Sequence, residues 1–576
     1  YALSGFESVN PYNGNLNFRL PLLRVGGRGS AGYAITLTLN TKRWSVRHSQ
    51  TQTSETWTPT QNSWGDNNPG YGPGRMLGRK SGFDPLFTAG CPNLPSNKQF
   101  FKYTLTTLTF TAADGTEYDF RDRQSGGVRI DVGHCPPPFP YRGASRGRVW
   151  VTADGSAATF ISDDDIYDQV DVPAGTRTFA PSGYMLLRDG TRYRIDSGGV
   201  TWIRDRNGNQ VSPNVDSLGR VVTIDYDVSD PAYGLCDRIH YSGFGGEART
   251  IYVTKTALEN ALRAGYGPQS YSQLFPDLNV SSLGTGAYST TVVSGVVLPD
   301  GRGYQFRYNS YGELARVVLP TGGAIEYDMA PGSGVVVGNN NEGDAKEIYR
   351  RVAERRTYPD GSTLEGRTVY EDVSDQSGTY VEVRNYSGST VVGGERHYFA
   401  GGSAREHVIQ PLDGLGSPVQ TYPAWDEGRE TAVEQYATDG TSLTSPLRAT
   451  ATTWQPNGTM GGLPVNPVAV ATTTTLKDVT PNLVAKTTAV DPQTGALGFD
   501  QYNNPTDVWE YDFGSGGPGA FARRTHTDYV TTAAYVNADV NPSAGASLRN
   551  LPYQQWASSD EAGANKMSLT VYAYDQ

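Results

Sequence analysis

Asp-Gly pairs recur between short runs of alternating apolar residues, at Asp114-Gly115, Asp154-Gly155, Asp189-Gly190, Asp300-Gly301 and Asp360-Gly361. A strand-like segment soon follows each, as in Thr116-Glu117-Tyr118 and Thr191-Arg192-Tyr193. Asp-Gly supplies the positive φ angles of a two-residue hairpin turn. Five such pairs in similar contexts predict a succession of antiparallel hairpins. The runs between them agree. Tyr33, Ile35, Leu37 and Leu39 mark one face of a strand, and Phe101, Tyr103, Leu105, Leu108 and Phe110 another, with a slip that reads as a bulge. The 68 Gly and 36 Tyr suit turns and pleated surfaces respectively.

The segment 254–264 (TKTALENALRA) departs from this pattern. It holds helix formers, with Leu258 and Leu262 on one face, Thr254 as a cap and Gly265 as a stop. A second, shorter helix is expected from Tyr271 to Phe275, ended by Pro276. The predicted fold is mostly β: a long array of antiparallel hairpins forming a spiralling or curved sheet, with one small helical insertion. With 576 residues, several modules or one repetitive array are expected. Gly/Asn-rich stretches at 331–344 and 455–467 suggest divisions into 1–180, an N-terminal β domain; 181–330, a repeat region with the insertion near 254–275; 331–470, a middle β domain; and 471–576, a second repeat region.

Internal repetition supports the array. Leu298-Pro-Asp-Gly-Arg-Gly-Tyr304-Gln-Phe306 is echoed 21 residues later by Leu319-Pro-Thr-Gly-Gly-Ala-Ile325-Glu-Tyr327 (319 − 298 = 21). Tyr-Asp occurs six times, at Tyr118, Tyr167, Tyr226, Tyr327, Tyr511 and Tyr574, where chance predicts roughly two or three. In such a unit the Tyr packs across strands and the Asp closes the next turn.

The motifs Asp216-Ser-Leu-Gly219-Arg220, Tyr308-Asn-Ser-Tyr-Gly312-Glu-Leu314 and Glu510-Tyr511-Asp512 resemble the YD repeats of the Rhs family. The opening Asn13-Gly14-Asn15-Leu16-Asn17-Phe18-Arg19-Leu20-Pro21-Leu22 resembles the segment preceding the array in large bacterial YD-repeat proteins. The resemblance implies a long spiralling sheet, often a hollow shell, in a secreted or cell-surface bacterial protein. In toxin-associated members the shell encloses a C-terminal effector. Tyr574-Asp575-Gln576 reads as the start of another unit, so the chain is expected to stop mid-array.

Chemistry-bearing residues are sparse. The net charge of −11 and the absence of a basic run argue against nucleic-acid binding. No apolar stretch approaches the ~20 residues of a membrane span. The six histidines, His48, His134, His240, His397, His407 and His526, show no metal-binding or protease spacing, and no catalytic residue or cofactor is predicted. A weak calcium candidate is Asp163, Asp164 and Asp165 with Asp168; a solvated turn between strands is the favoured reading of the run. Cys91 and Cys135 lie in turn-rich loops and form either a disulfide or two unpaired thiols; Cys236 is left over. Glycosylation sequons begin at Asn279, Asn385 and Asn457, the last in a boundary loop and expected to be the most accessible. Trp44, Trp57, Trp64 and Trp150 could stack on glycans or pack in a core.

The sequence therefore reads as a non-enzymatic extracellular structural protein that associates with itself, as a filament or surface layer. The alternatives are the shell of a toxin-delivery protein and a carbohydrate-binding adhesin. Two terminal segments are the expected contacts. One is 1–22, whose Pro11 and Pro21 suit an extended peptide or edge strand; the other is 568–574.

Overall fold

The computed structural model describes residues 5–40, 44–50, 55–61, 70–87, 99–128, 130, 142–170, 179–276, 278–330, 334–335, 345–375, 378–401, 425–536, 542–543 and 545–574. Strand accounts for 57% of the chain and helix for 4%, as the hairpin series predicts. A three-stranded sheet comprises Glu7–Val9, Leu16–Val25 and Tyr33–Asn40; a nine-stranded sheet follows between Gly74 and Val211. A nineteen-stranded antiparallel sheet then runs from Thr223–Asp230 to Lys566–Val571. Its strands are hydrogen-bonded in chain order, omitting only the short strands Gly334–Val335, Ala345–Tyr349, Thr459–Met460 and Leu463–Pro464. This sheet continues unbroken across residues 330 and 470.

One apolar cluster joins the sheets. Leu16, Phe18 and Leu20 are buried, and Phe18 meets Phe306 of the long sheet edge-on at 5.5 Å. Glu7 forms a buried ion pair with Arg355 of the long sheet. Two expectations fail here. Leu16–Val25 is the central strand of its own sheet rather than an extended peptide or edge strand; Pro21 is accommodated at a register shift between Pro21 and Leu23. The predicted helix at 254–264 is also absent. Thr254 to Ala257 complete the strand Ala248–Ala257, paired with Gly295, Val293, Val292 and Thr291, and a 3-10 turn covers Leu258–Asn260. Cross-strand pairing of β-branched Thr254 and Thr256 overrides the local helix propensity. The short helix Tyr271–Leu274 does form, with a capping box at Ser270.

The turns explain the repeat. In four of them an Asp or Asn at the first position holds a five-residue loop closed: Asp205 to Asn209, Asp216 to Arg220, Asn309 to Glu313 and Asp500 to Asn504. The backbone N–H groups two and four residues on both donate to the first residue's Oδ1, at 3.0 and 2.9 Å for Asp205 and 2.8 and 2.9 Å for Asp500. The fifth side chain then bonds the other branch of the first. Asn209 Nδ2 donates to Asp205 Oδ2 at 2.9 Å, and Asn504 Nδ2 to Asp500 Oδ2 at 2.8 Å. At Asn309 the polarity reverses, and its Nδ2 donates to Glu313 Oε2 at 2.7 Å.

The Asp-Gly turns share this frame. In the turns starting at Ala112, Leu187 and Leu298, the first residue's N–H donates to the carbonyl four residues on, and the glycine N–H returns to the first carbonyl. Gly115, Gly190 and Gly301 have positive φ, while Asp114, Asp189 and Asp300 do not. These are type I turns with a glycine bulge rather than the two-residue turns expected, so the Asp acts through its side chain and not through a positive φ. Turns starting at Leu298, Asn309 and Leu319 (309 − 298 = 11; 319 − 309 = 10) give the 21-residue period as two strand–turn steps. The Asp of Tyr-Asp does not close turns as expected. Asp119, Asp168, Asp227 and Asp328 instead bond side chains of other strands.

Removing a clasp leaves two backbone N–H groups without their acceptor. Asp500→Ala is expected to lower stability by about 1–3 kcal/mol, read as a shift in the urea midpoint. Asp500→Asn keeps an Oδ1 acceptor for both N–H groups but sets its Nδ2 against Asn504 Nδ2, and is expected to be about 1 kcal/mol less costly than Asp500→Ala. Equal losses in both variants would refute the clasp.

Candidate functional site

The long sheet's polar face carries a cross-strand charge ladder. Strand alternation puts Ile325 and Tyr327 toward the core and Glu326 and Asp328 on the opposite face. Register then aligns Arg316 with Glu326, Glu326 with Arg356 and Glu382 with Arg396. Arg316 Nη1 donates to Glu326 Oε1 at 2.6 Å, Arg356 reaches Asp328 at 2.6 Å and Glu354 at 2.8 Å, and Arg396 reaches Glu382 at 2.9 Å. Farther along, Glu434 receives Lys477 at 2.6 Å and the Tyr436 hydroxyl at 2.7 Å. Burial alone would raise the Glu326 and Asp328 carboxyls; the surrounding guanidiniums hold both below the ordinary carboxylate range. Each acid in this ladder faces a cation, which leaves no carboxylate pair poised for acid–base work.

The histidines follow the same logic. His240 Nδ1 lies 2.9 Å from Thr250 Oγ1, and its Nε2 lies 3.1 Å from Asp225 Oδ2, a hydroxyl–imidazole–carboxylate string on three adjacent strands. Catalysis would also need donors for an oxyanion and a site that excludes water. Here the string lies on a sheet face, His240 and Asp225 are well exposed, and both strands flanking that of His240 are paired with it along their length. His397 lies between Glu430 at 2.7 Å and Glu395 at 3.5 Å. Burial opposes its protonation, but the two carboxylates prevail and its pKa is raised. His526 bridges Asp507 at 2.8 Å and Asp528 at 3.1 Å, and stacks on Trp556 at 4.8 Å. His48 lies in the strand Trp44–Gln50; His134 and His407 lie outside the described residues.

The aspartates of the calcium candidate do not converge. Exposed Asp163 pairs with half-buried Arg194 at 2.7 Å, and Asp164 and Asp165 are exposed. Asp168 is buried and engages Arg146 in two bonds of 2.9 Å while accepting the Leu105 N–H at 2.8 Å. Arg146, fully buried, also donates to Ser125 Oγ at 2.7 Å and the Val128 carbonyl at 2.6 Å, and approaches Asp122 at 3.5 Å. No metal-binding group of three acids, histidines or cysteines occurs among the described residues. Spacing within 163–168 could not reveal this, because the partner Arg146 comes from the neighbouring strand Arg142–Thr152.

Cys91 and Cys135 lie outside the described residues, whereas Cys236 is buried and free. Asn279 is the exposed sequon. Asn385 Oδ1 accepts the Thr368 hydroxyl, and Asn457, expected to be the most accessible, spends its Nδ2 on the Asp500 carbonyl and Asn503 Oδ1 at 2.7 and 2.8 Å. A tertiary contact with the Asp500 turn thus leaves Asn457 half-buried. Trp44 and Trp150 are buried; Trp44 lies among Tyr271, Phe275 and Tyr288. The side chains of Trp57 and Trp64 lie outside the described residues.

A cavity of about 550 Å³ opens where the end of the long sheet meets the nine-stranded sheet, lined in part by Arg123, Thr159, Asn466, Tyr502 and Arg549. Arg549 is already committed: it donates to Thr159 Oγ1 at 2.7 Å and lies over the Tyr502 ring at 4.9 Å.

A pH effect and a calcium effect follow. His526 has its pKa raised above the usual 6.5, first through its bond to Asp507, so its stabilising contribution is full below about pH 6.5 and fades as pH rises through the folded-state value. His526→Gln is expected to flatten the loss of thermal stability above pH 6.5; an unchanged pH slope would contradict the assignment. Calcium at millimolar concentration is expected to leave the melting temperature unchanged, and a rise of several degrees would restore the aspartate site.

No family model matches the chain, and no curated protein matches it. Among solved structures, the crystal structure of TcdB2-TccC3 aligns with 96% of this chain and 47% of its own, at 9% identity and a TM-score of 0.33. That of TcdB2-TccC3-Cdc42 aligns with 96% of this chain and 29% of its own, at 10% identity and a TM-score of 0.28. The chain spans less than half the length of either.

Proposed function

We propose that this protein is a non-enzymatic extracellular structural protein whose long sheet forms the wall of a β shell of the Rhs/YD-repeat kind. The observation that carries this reading is the nineteen-stranded sheet hydrogen-bonded in chain order. A twisted open sheet beyond ~10 strands curls, splits or flattens. Residues far apart in the chain meet accordingly. Arg549 bonds Thr159, Gly155 N–H bonds Asn466 Oδ1, and Arg192 bonds the carbonyls of Ser543 and Gly545. The extracellular setting is supported by the resemblance of Asp216-Ser-Leu-Gly219-Arg220 and its companions to YD repeats. Self-association is a second reading, favoured by the exposed apolar residues Leu218, Val221 and Tyr226 at the Thr223–Asp230 end of the long sheet. The adhesin reading loses Trp44 and Trp150, which are buried.

Electron microscopy of single particles tests the wall. A curved, hollow or cup-shaped density is expected; a solid globule would exclude it. For the non-enzymatic role, His240→Ala and Thr250→Ala are expected to leave hydrolysis of an activated acetate ester at the wild-type background. A tenfold drop in either variant, with the fold intact, would make the Asp225–His240–Thr250 string a catalytic site.

A further inference from the structure

The strands Arg192–Asp196 and Gly199–Arg204 of the nine-stranded sheet set Arg192 directly opposite Arg204. Like charges facing each other across a strand pair are destabilising. The long sheet has the same arrangement at Arg356 and Arg367, and there Glu354 bridges the two, at 2.8 and 3.5 Å. Among the described residues no carboxylate bridges Arg192 and Arg204. Arg192 Nη1 and Nη2 donate to the carbonyls of Ser543 and Gly545, and Arg204 Nε and Nη2 donate to Gln210 Oε1 at 3.1 and 2.7 Å, all of them neutral acceptors. Arg192 is only 8% exposed, and its burial together with the Arg204 charge lowers its pKa.

A cavity of about 260 Å³ lies against this pair, lined by Arg192, Arg204, Arg206 and Ser547 among others. Arg206 and Gly208 are exposed and mark its mouth. Asp205 is the one acid in the lining, but both of its oxygens are taken. Oδ1 accepts the Asn207 and Asn209 N–H groups, and Oδ2 accepts the Ser30 N–H and Asn209 Nδ2. Two buried polar atoms of the lining residues, Arg192 Nε and Ser547 Oγ, have no hydrogen-bond partner among the described residues. Buried groups left in this state are rare in folded proteins and call for a partner.

We propose that this cavity is a phosphate site, in which the bound oxyanion gives Arg192 and Arg204 the counter-charge that Glu354 gives Arg356 and Arg367. Guanidiniums bind phosphate through paired N–H groups. A tetrahedral oxyanion has oxygens enough to serve two of them and a hydroxyl at once, whereas a carboxylate has two. A water occupies about 30 Å³, so the cavity exceeds a bare ion and leaves room toward the mouth for a small organic substituent. The ligand is therefore inorganic phosphate or a small phosphate monoester. Residues 546–548 form one wall of the cavity, and Leu548 bridges to Asp189 of the nine-stranded sheet. Bound phosphate thus ties two distant parts of the chain together.

This goes beyond the wall reading and does not depend on it: a solid particle that binds phosphate would keep the site and lose the wall. Concentrated phosphate stabilises any protein by exclusion from its surface, so the test is isothermal titration calorimetry on the 576-residue chain at low-millimolar ligand and constant ionic strength. Inorganic phosphate is expected to bind with a dissociation constant below about 1 mM. Acetate is expected to bind at least tenfold more weakly. Arg204→Gln is expected to weaken phosphate at least tenfold, the loss of a charge-assisted hydrogen bond. Arg204→Glu supplies the missing carboxylate from within the chain. It is expected to raise the urea midpoint in phosphate-free buffer and to abolish phosphate binding, which a merely structural Arg204 would not do. Glycerol phosphate binding more tightly than phosphate assigns the site to an ester, and the reverse order assigns it to the free ion; either order upholds it. No phosphate binding by wild type, acetate binding as tightly as phosphate, or an Arg204→Glu variant that keeps wild-type phosphate affinity would each overturn the proposal.

Discussion

A sheet of nineteen strands cannot leave both faces in water along its whole length, and here the first half of it is covered by the N-terminal sheets. Phe18 against Phe306 and Phe6 against Tyr304 are the points where this cover is closest to the chain start. Core burial of this kind is worth about 3–5 kcal/mol for a single Phe replaced by Ala. It also fixes register, since a one-residue slip would send Tyr327 to the polar face and Glu326 into the apolar cluster. Later strands rely less on this cover. In Glu430–Thr438 and Leu443–Pro456 no residue is fully buried, so backbone pairing and the polar ladder carry more of the load.

The ladder explains the preference for arginine, with 39 Arg to 9 Lys. A guanidinium can pair with a carboxylate in its plane while its face lies on a ring. Arg396 bonds Glu382 and lies 4.6 and 4.5 Å from the Tyr380 and Tyr436 rings. Arg350 bonds Glu313 and lies 3.6 Å from the Tyr311 ring. Abundant Tyr and abundant Arg are therefore two parts of one packing solution. Pairs that stay exposed, such as Arg302 with Asp300, are individually worth about 0–1 kcal/mol, whereas Glu313 is buried and its pairing with Arg350 offsets the cost of that burial.

Much of the fold was legible in local patterns. Alternation marked the strands, and Asp-Gly marked the turns because side-chain acceptance and a permissive glycine are both local demands. Partners distant in sequence were not legible. Nothing near Asp168 announces Arg146, and nothing near Thr254 shows that a strand at Thr291–Val297 will claim it from a helix. The same holds for Asn457, exposed by its composition and taken up by the turn at Asp500. The Asp216 and Asp500 clasps could have been found from an Asp with a polar residue four positions on and Gly or Asn between them. Asn309 to Glu313 shows that the signal tolerates exchange of donor and acceptor.

The central claim is that the N-terminal sheets and the long sheet form one folded unit, joined again near its far end. Hydrogen exchange of an Arg549→Ala variant tests it most directly, because Arg549 bonds Thr159, some 390 residues earlier in the chain. Faster exchange is predicted in both Thr159–Val170 and Pro552–Ser558, with the strands Gly303–Tyr308 and Leu314–Val318 unchanged. A change confined to residues 530–558 would show that the two regions are independent and would contradict the account.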